Sequence, residues 1–155
     1  MAGSLFVHTT YIRGSQQKLW NALTDPEFNK RLWFGYHQQS TWKQGASWTL
    51  RAPDGAANTT GDILACDPLR HVEFRWFSEC TPERKADGET RCSYALEPVG
   101  DAVRLTVTHR SERDNSVMIA AASESWPKVI ASLKSLVETG GALNIHNPSQ
   151  GHAHG

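Results

Sequence analysis

The chain has 155 residues, with 16 Lys and Arg against 16 Asp and Glu, so its formal net charge is zero. That length suits one domain with a real hydrophobic core, and the charge balance removes the electrostatic reason to expect nucleic acid or an anionic membrane surface as a partner. No apolar run is long enough to span a bilayer, and the start, MAGSLFVHTTYIRG, lacks the basic and long apolar regions of a signal peptide, so a cytoplasmic protein is expected.

Residues 5 to 13, LFVHTTYIR, are rich in β-branched and aromatic types and predict a first strand ended by Gly14. Ser15 is suited to cap a short helix through QQKLWNAL, with Leu19, Trp20 and Leu23 on one side. Asp25-Pro26-Glu27 then starts a second short helix: Asp25 can cap, Pro26 fits the first helical position, and Glu27 complements the helix dipole. Phe28 and Leu32 form an (i, i+4) apolar pair on it.

After Trp33-Phe34-Gly35 the pattern becomes strands and turns. Residues 36 to 42 run into the Lys43-Gln44-Gly45-Ala46 turn, SWTLR follows at 47 to 51, and Pro53-Asp54-Gly55 makes the next turn. A strand over 59 to 66 stops at Asp67-Pro68. Residues 71 to 77 alternate, with Val72, Phe74 and Trp76 on one face and Glu73 and Arg75 on the other. Ser78 to Thr90 is charged and predicts a mobile loop. Residues 91 to 97 place Cys92, Tyr94 and Leu96 together, and Pro98-Val99-Gly100-Asp101 turns into AVRLTVTHR at 102 to 110, where Val103, Leu105, Val107 and His109 share a face.

The longest helical pattern comes last, over about 115 to 139. Ile119, Ala122, Trp126, Ile130, Leu133 and Val137 recur at steps of three and four, and Val129 and Leu136 widen the stripe. Asp114, Asn115 and Ser116 are candidate N-caps, Gly140-Gly141 is a stop, and Pro127 predicts a bend because it gives no amide to the Ser123 carbonyl. The order is strand, two short helices, about six consecutive strands and one long helix. It predicts an α+β fold in which a curved antiparallel sheet wraps the last helix. GGALNIHNPSQGHAHG has no periodicity, so residues 141 to 155 are expected to be a flexible tail. Its His152 and His154 alone do not make a metal site.

SQQKLWNALTDPEFNKRLWFG, the WKQGASW turn, GDILACDPLRHVEFRWF, YALEPVGDAVRLTVTHR and SWPKVIASLKSLVETG together resemble the Hsp90-ATPase-activator-homologue-like family. That family belongs to the Bet v 1-like, START-related (SRPBCC) superfamily with the helix-grip fold. The resemblance spans about residues 5 to 140; Ser125 stands where many members have Gly before Trp-Pro. The resemblance implies a deep apolar cavity for hydrophobic small molecules, aromatic ones among them, and carries no shared catalytic motif. It also brings two alternatives: a cyclase- or hydratase-like enzyme using a cavity His or Tyr, and a stress-related chaperone-interacting protein. Hsp90 itself is the less favoured partner, because the eukaryotic cochaperone activates it largely through a separate N-terminal domain.

No GxSxG, HExxH, GxGxxG or P-loop occurs, nothing calls for a cofactor or metal, and Cys66, Cys80 and Cys92 fit reduced thiols. The candidate ligand contacts are Trp33, Trp48, Phe74, Trp76, Tyr94, His109, Trp126, Ile130 and Leu133. The aromatic ones either wall a pocket or simply pack on one another. Ala120, Ala121 and Ala122 leave room near the start of the helix. His109 is a candidate ligand contact or acid/base; its alternative is a core histidine with its hydrogen bonds satisfied. His37 is placed at the pocket mouth or the surface, and no catalytic residue is assigned.

Overall fold

In a computed structural model, residues 3–33 and 35–143 are described. The Phe28–Leu32 pairing and the tail from 144 onward, with its histidines, lie outside the described groups. Strand β1 (Ser4–Arg13) is followed by α1 (Gln16–Thr24) and α2 (Pro26–Leu32). Six more strands follow: β2 (His37–Gln39), β3 (Ser47–Arg51), β4 (Ala57–Asp67), β5 (His71–Ser78), β6 (Thr90–Val99) and β7 (Ala102–Ser111). A short helix, α3 (Pro82–Ala86), sits between β5 and β6, and α4 (Val117–Thr139) ends the fold.

The strands form one seven-stranded antiparallel sheet in the order β1-β7-β6-β5-β4-β3-β2. Consecutive strands β1 and β2 therefore occupy opposite edges, and α1 and α2 carry the chain from one edge to the other. The sheet curls around α4 as a half-barrel. Two devices in β4 produce close, curved packing. A register shift between Ile63 and Ala65 adds a residue against β5. At Gly61 a Cβ would lie 1.8 Å from the Arg75 carbonyl oxygen, so only glycine permits this approach of strand on strand.

The inward residues of β5, Val72, Phe74, Trp76 and Ser78, are buried, and so are Tyr94 and Leu96 of β6 and Val103, Leu105, Val107 and His109 of β7. Against them α4 buries the whole predicted stripe, including Trp126, Val129, Ile130, Leu133, Leu136 and Val137. The helix continues through Pro127. The carbonyl deprived of its donor belongs to Ser123, an exposed residue on the solvent side of the helix. Gly140, at φ 87°, ends α4 in the left-handed conformation. On the β1 edge, α4 supplies partners to the free strand backbone: the Arg13 amide donates to Glu138 Oε2 at 2.8 Å, and Lys134 Nζ donates to the Tyr11 carbonyl.

The junction of α1 and α2 has its own polar core. Pro26 gives no amide to the Ala22 carbonyl, and the Glu27 amide is taken by the Asp25 cap at 2.8 Å. Buried side chains replace these donors. Asn29 Nδ2 donates to the carbonyls of Ala22 (2.9 Å) and Leu23 (3.1 Å), and Gln38 Nε2 donates to Leu23 O at 2.8 Å. Gln38 Oε1 in turn accepts from Trp48 Nε1 at 3.1 Å and the Tyr94 hydroxyl at 2.9 Å. One glutamine on the short edge strand thus ties both helices to β3 and β6.

The segment 78 to 90 is not simply a loop: it contains α3 and is fastened to α4. Asp87 accepts from the Met118 amide at 2.9 Å and the Ser116 hydroxyl at 2.6 Å, while Ser116 Oγ accepts from the Ile119 amide at 3.1 Å. Burial alone would raise the Asp87 carboxyl; these bonds and the nearby Arg113 outweigh it and hold the group below its ordinary value.

Candidate functional site

The space between α4 and the sheet is filled at one end and hollow at the other. At the filled end Trp48 and Phe74 pack with ring centroids 4.6 Å apart and planes tilted by 34°, and Tyr94 meets Phe74 edge-on at 5.4 Å. Trp48, Phe74, Tyr94, Ile130 and Leu133 lie in the continuous core and do not border the hollow. The Tyr94 hydroxyl is committed to Gln38, and burial raises its ionisation well above the ordinary value.

The hollow is a cavity of about 120 Å³ between the first half of α4, α3, and the ends of β3, β4 and β5. Trp33, Trp76 and Trp126 form its aromatic wall: Trp33 lies 5.3 Å from Trp126 and 6.3 Å from Trp76. Leu50, Met118, Ala122 and Val129 complete the apolar surface. Ala121 and Ala122 border it, as the run of small residues suggested, whereas Ala120 is exposed. Of the nine residues singled out from the sequence, the three tryptophans Trp33, Trp76 and Trp126 meet at this space. Both sequence alternatives therefore describe part of the molecule: some aromatic residues wall a cavity, and others fill the core beside it.

His109 stands behind the wall. It is fully buried, its ring centroid is 4.9 Å from that of Trp76, and it does not border the cavity. Trp126 Nε1 can only donate, so its contact with His109 Nδ1 at 3.3 Å makes Nδ1 the acceptor. The ring proton is then on Nε2, which donates to Thr90 Oγ1 at 2.8 Å, and the Thr90 hydroxyl passes its own hydrogen to the Trp76 carbonyl at 3.1 Å. Burial lowers the pKa of His109 to about 3. Both nitrogens are occupied and the ring is neutral, so the geometry gives His109 the work of holding the Trp126 indole in place. His37 is half-buried on β2, away from the cavity lining, and Arg75 points outward to Asp62 at 3.1 Å.

The polar part of the lining comes from residues outside the sequence-derived set. Asn58, Thr59, Ser78 and Thr81 border the cavity on one side, and Arg84 of α3 is the only charged residue among the described ones that line it. The half-buried residues Asn58, Thr81, Arg84, Ala121 and Ser125 mark the solvent side, while the tryptophans mark the base. Burial raises the Tyr36 hydroxyl, with Cys80 and Asp54 adding to the effect and Arg84 opposing it, so the guanidinium acts on the phenol across the same space. At the base, the buried Trp76 indole N–H meets no acceptor among the described residues. Among those residues no cluster of three or more His, Cys, Asp or Glu is placed to hold a metal ion, and no helix is long and apolar enough to cross a membrane.

A curved antiparallel sheet closed on one long helix, with a cavity between them, defines a helix-grip domain of the α+β class. Residues 13–138 match the family described as "Activator of Hsp90 ATPase homolog 1-like protein", and the chain belongs to that family. Solved structures share the fold. The protein MLL2253 from Mesorhizobium loti superposes with a TM-score of 0.73 at 20% identity, over 86% of this chain and 96% of that one. CalU16 from Micromonospora echinospora gives 0.71 at 19% identity, over 89% and 78%. The Aha1 dimer from Colwellia psychrerythraea gives 0.70 at 20% identity, over 88% and 98%. No curated protein matches the chain in sequence.

Proposed function

We propose that this protein binds a small hydrophobic, aromatic molecule in the cavity between the sheet and α4. The observation that carries the reading is the cavity of about 120 Å³ walled by Trp33, Trp76 and Trp126. Its size is close to the roughly 150 Å³ apolar cavity that binds benzene in an engineered protein, so one aromatic ring is the natural occupant. The tryptophan faces favour aromatic partners over aliphatic ones of equal size, and polar groups on one side only would fix the orientation of what enters.

The test is titration with toluene, indole and cyclohexane, followed by tryptophan fluorescence and melting temperature. Saturable binding that favours the aromatic probes is expected, with stabilisation rising with ligand concentration. Ala122→Leu, which puts a larger side chain into the cavity, should abolish binding while the protein stays folded. Absence of saturable binding by any probe to the unmodified protein overturns the reading.

A further inference from the structure

The cavity is two-sided in its chemistry. Its base is aromatic, and its other side carries hydrogen-bond donors that no described residue uses. Ser78 is 4% exposed and borders the cavity, and its hydroxyl makes no hydrogen bond to another described residue. The sheet alternation explains its direction: Val72, Phe74, Trp76 and Ser78 all face inward on β5. Thr81 caps α3 by position, yet its side chain makes no capping bond. Arg84 is half-buried, and no carboxylate of a described residue lies within ion-pair distance of its guanidinium, although other arginines such as Arg75, Arg104 and Arg110 each have one. Among the described residues, no acidic side chain lines the cavity to compete for it. A hydroxyl and a guanidinium that border one space, neither with an acceptor among the described residues, are complementary to something that brings acceptors.

We propose that the ligand is a small aromatic carboxylic acid. Its ring packs against Trp33, Trp76 and Trp126, and its carboxylate lies at the solvent side on Arg84, with Ser78 and Thr81 donating to the carboxylate oxygens. A carboxylate is the group that accepts a guanidinium fork and two hydroxyl donors together while giving nothing that needs an acceptor in return. The cavity volume of about 120 Å³ leaves space for one ring and keeps the lining groups within reach of a single molecule. The proposal rests on the reading that the cavity binds a ligand, and adds to it the ligand's charge and orientation.

The decisive experiment compares benzoate with benzamide, its neutral counterpart of nearly equal shape, and with toluene, by fluorescence titration and thermal shift at fixed low salt. The unmodified protein should bind benzoate about tenfold or more tightly than benzamide, the range expected of a charge-assisted contact. Arg84→Gln should remove that preference and leave benzamide and toluene affinity within about twofold, because the apolar base is intact. Arg84→Lys should keep part of the preference, since the charge remains and the planar fork is lost. Equal affinity for benzoate and benzamide, or a preference that survives in Arg84→Gln, overturns the acid proposal even if toluene still binds. Failure of all three probes to bind overturns the cavity reading with it.

Discussion

His109 shows how one residue's setting decides its chemistry. A histidine on the inward face of a strand is an attractive acid or base until its neighbours are counted. Here Trp126 and Thr90 take both ring nitrogens, and burial pushes the pKa from the ordinary 6.5 to about 3. The folded protein therefore resists a proton that the unfolded chain accepts. Stability is fully present above the ordinary value and is lost as the pH falls from 6.5 towards about 3, because in that interval the unfolded state binds the extra proton. The loss attributable to His109 should be roughly 1.4 kcal/mol per pH unit within that window. Urea unfolding of the unmodified protein and of His109→Gln between about pH 6 and pH 4 measures it as the difference in slope. Parallel slopes would show that His109 titrates normally and is not sealed behind the tryptophans.

At the level of elements, β4 and α3 carry the features that make the sheet curve and the cavity close. Gly61 lies where β4 presses on the backbone of β5, and the smallest side chain would meet the Arg75 carbonyl. Gly61→Ala should cost about 3 kcal/mol or more, since neither strand can move without disturbing the ladder. A shift in the denaturation midpoint corresponding to less than about 0.5 kcal/mol would mean the strands are farther apart than described. Helix α3 is fastened by Asp87, whose carboxylate bridges the segment after β5 to the start of α4. Asp87→Ala should destabilise the protein by roughly 1–3 kcal/mol through the lost cap and stranded donors. The contribution has a defined pH sign. The folded carboxyl is held below its ordinary value of 3.8, so the stabilisation is complete above that value and is lost as the pH falls through the lower, folded one. Hydrogen exchange at the Met118 amide in the variant reports the same contact directly. Unaltered protection there would remove Asp87 from the capping role.

For the molecule as a whole, the architecture was legible because periodicity and punctuation agree along the chain. The six apolar positions from Ile119 to Val137 are all buried, and the Ser15 and Asp25 caps start helices where predicted. The site was legible only in part. Strand parity says that Trp48, Phe74, Tyr94 and His109 point inward, but it cannot say at which depth the interior is filled and at which it is hollow. That is decided by the volumes opposite each residue: Ala121 and Ala122 face the hollow, whereas Ile130 and Leu133 are packed in the core. The polar side of the cavity escaped for a more local reason. Ser78 belongs to the inward series of β5, but the alternation was ended one residue earlier, at Phe77. Thr81-Pro82-Glu83 repeats the cap, proline and acid order of Asp25-Pro26-Glu27, yet the helix it opens is five residues long, too short to show a 3.6-residue period. Asn29 and Gln38 carry no local signal, because their burial is demanded by the Ala22 and Leu23 carbonyls, six to fifteen residues away, which Pro26 and the Asp25 cap leave without donors.

The pairing of β1 with β7 has a consequence for how the chain reaches this structure. Ser4 pairs with Ser111 and Arg13 with Ala102, so the first strand made is bonded only to the last. Every other ladder joins strands that are neighbours in sequence and can close as soon as both have been synthesised. On a ribosome adding about 5–20 residues per second, β1 must wait roughly 5–20 seconds for its partner. During that interval its backbone edge is open and Leu5, Val7 and Tyr11, still at least half exposed in the finished fold, have little cover. The long closing loop makes this the slowest contact of the sheet to form, and it places the step most exposed to misassociation at β1.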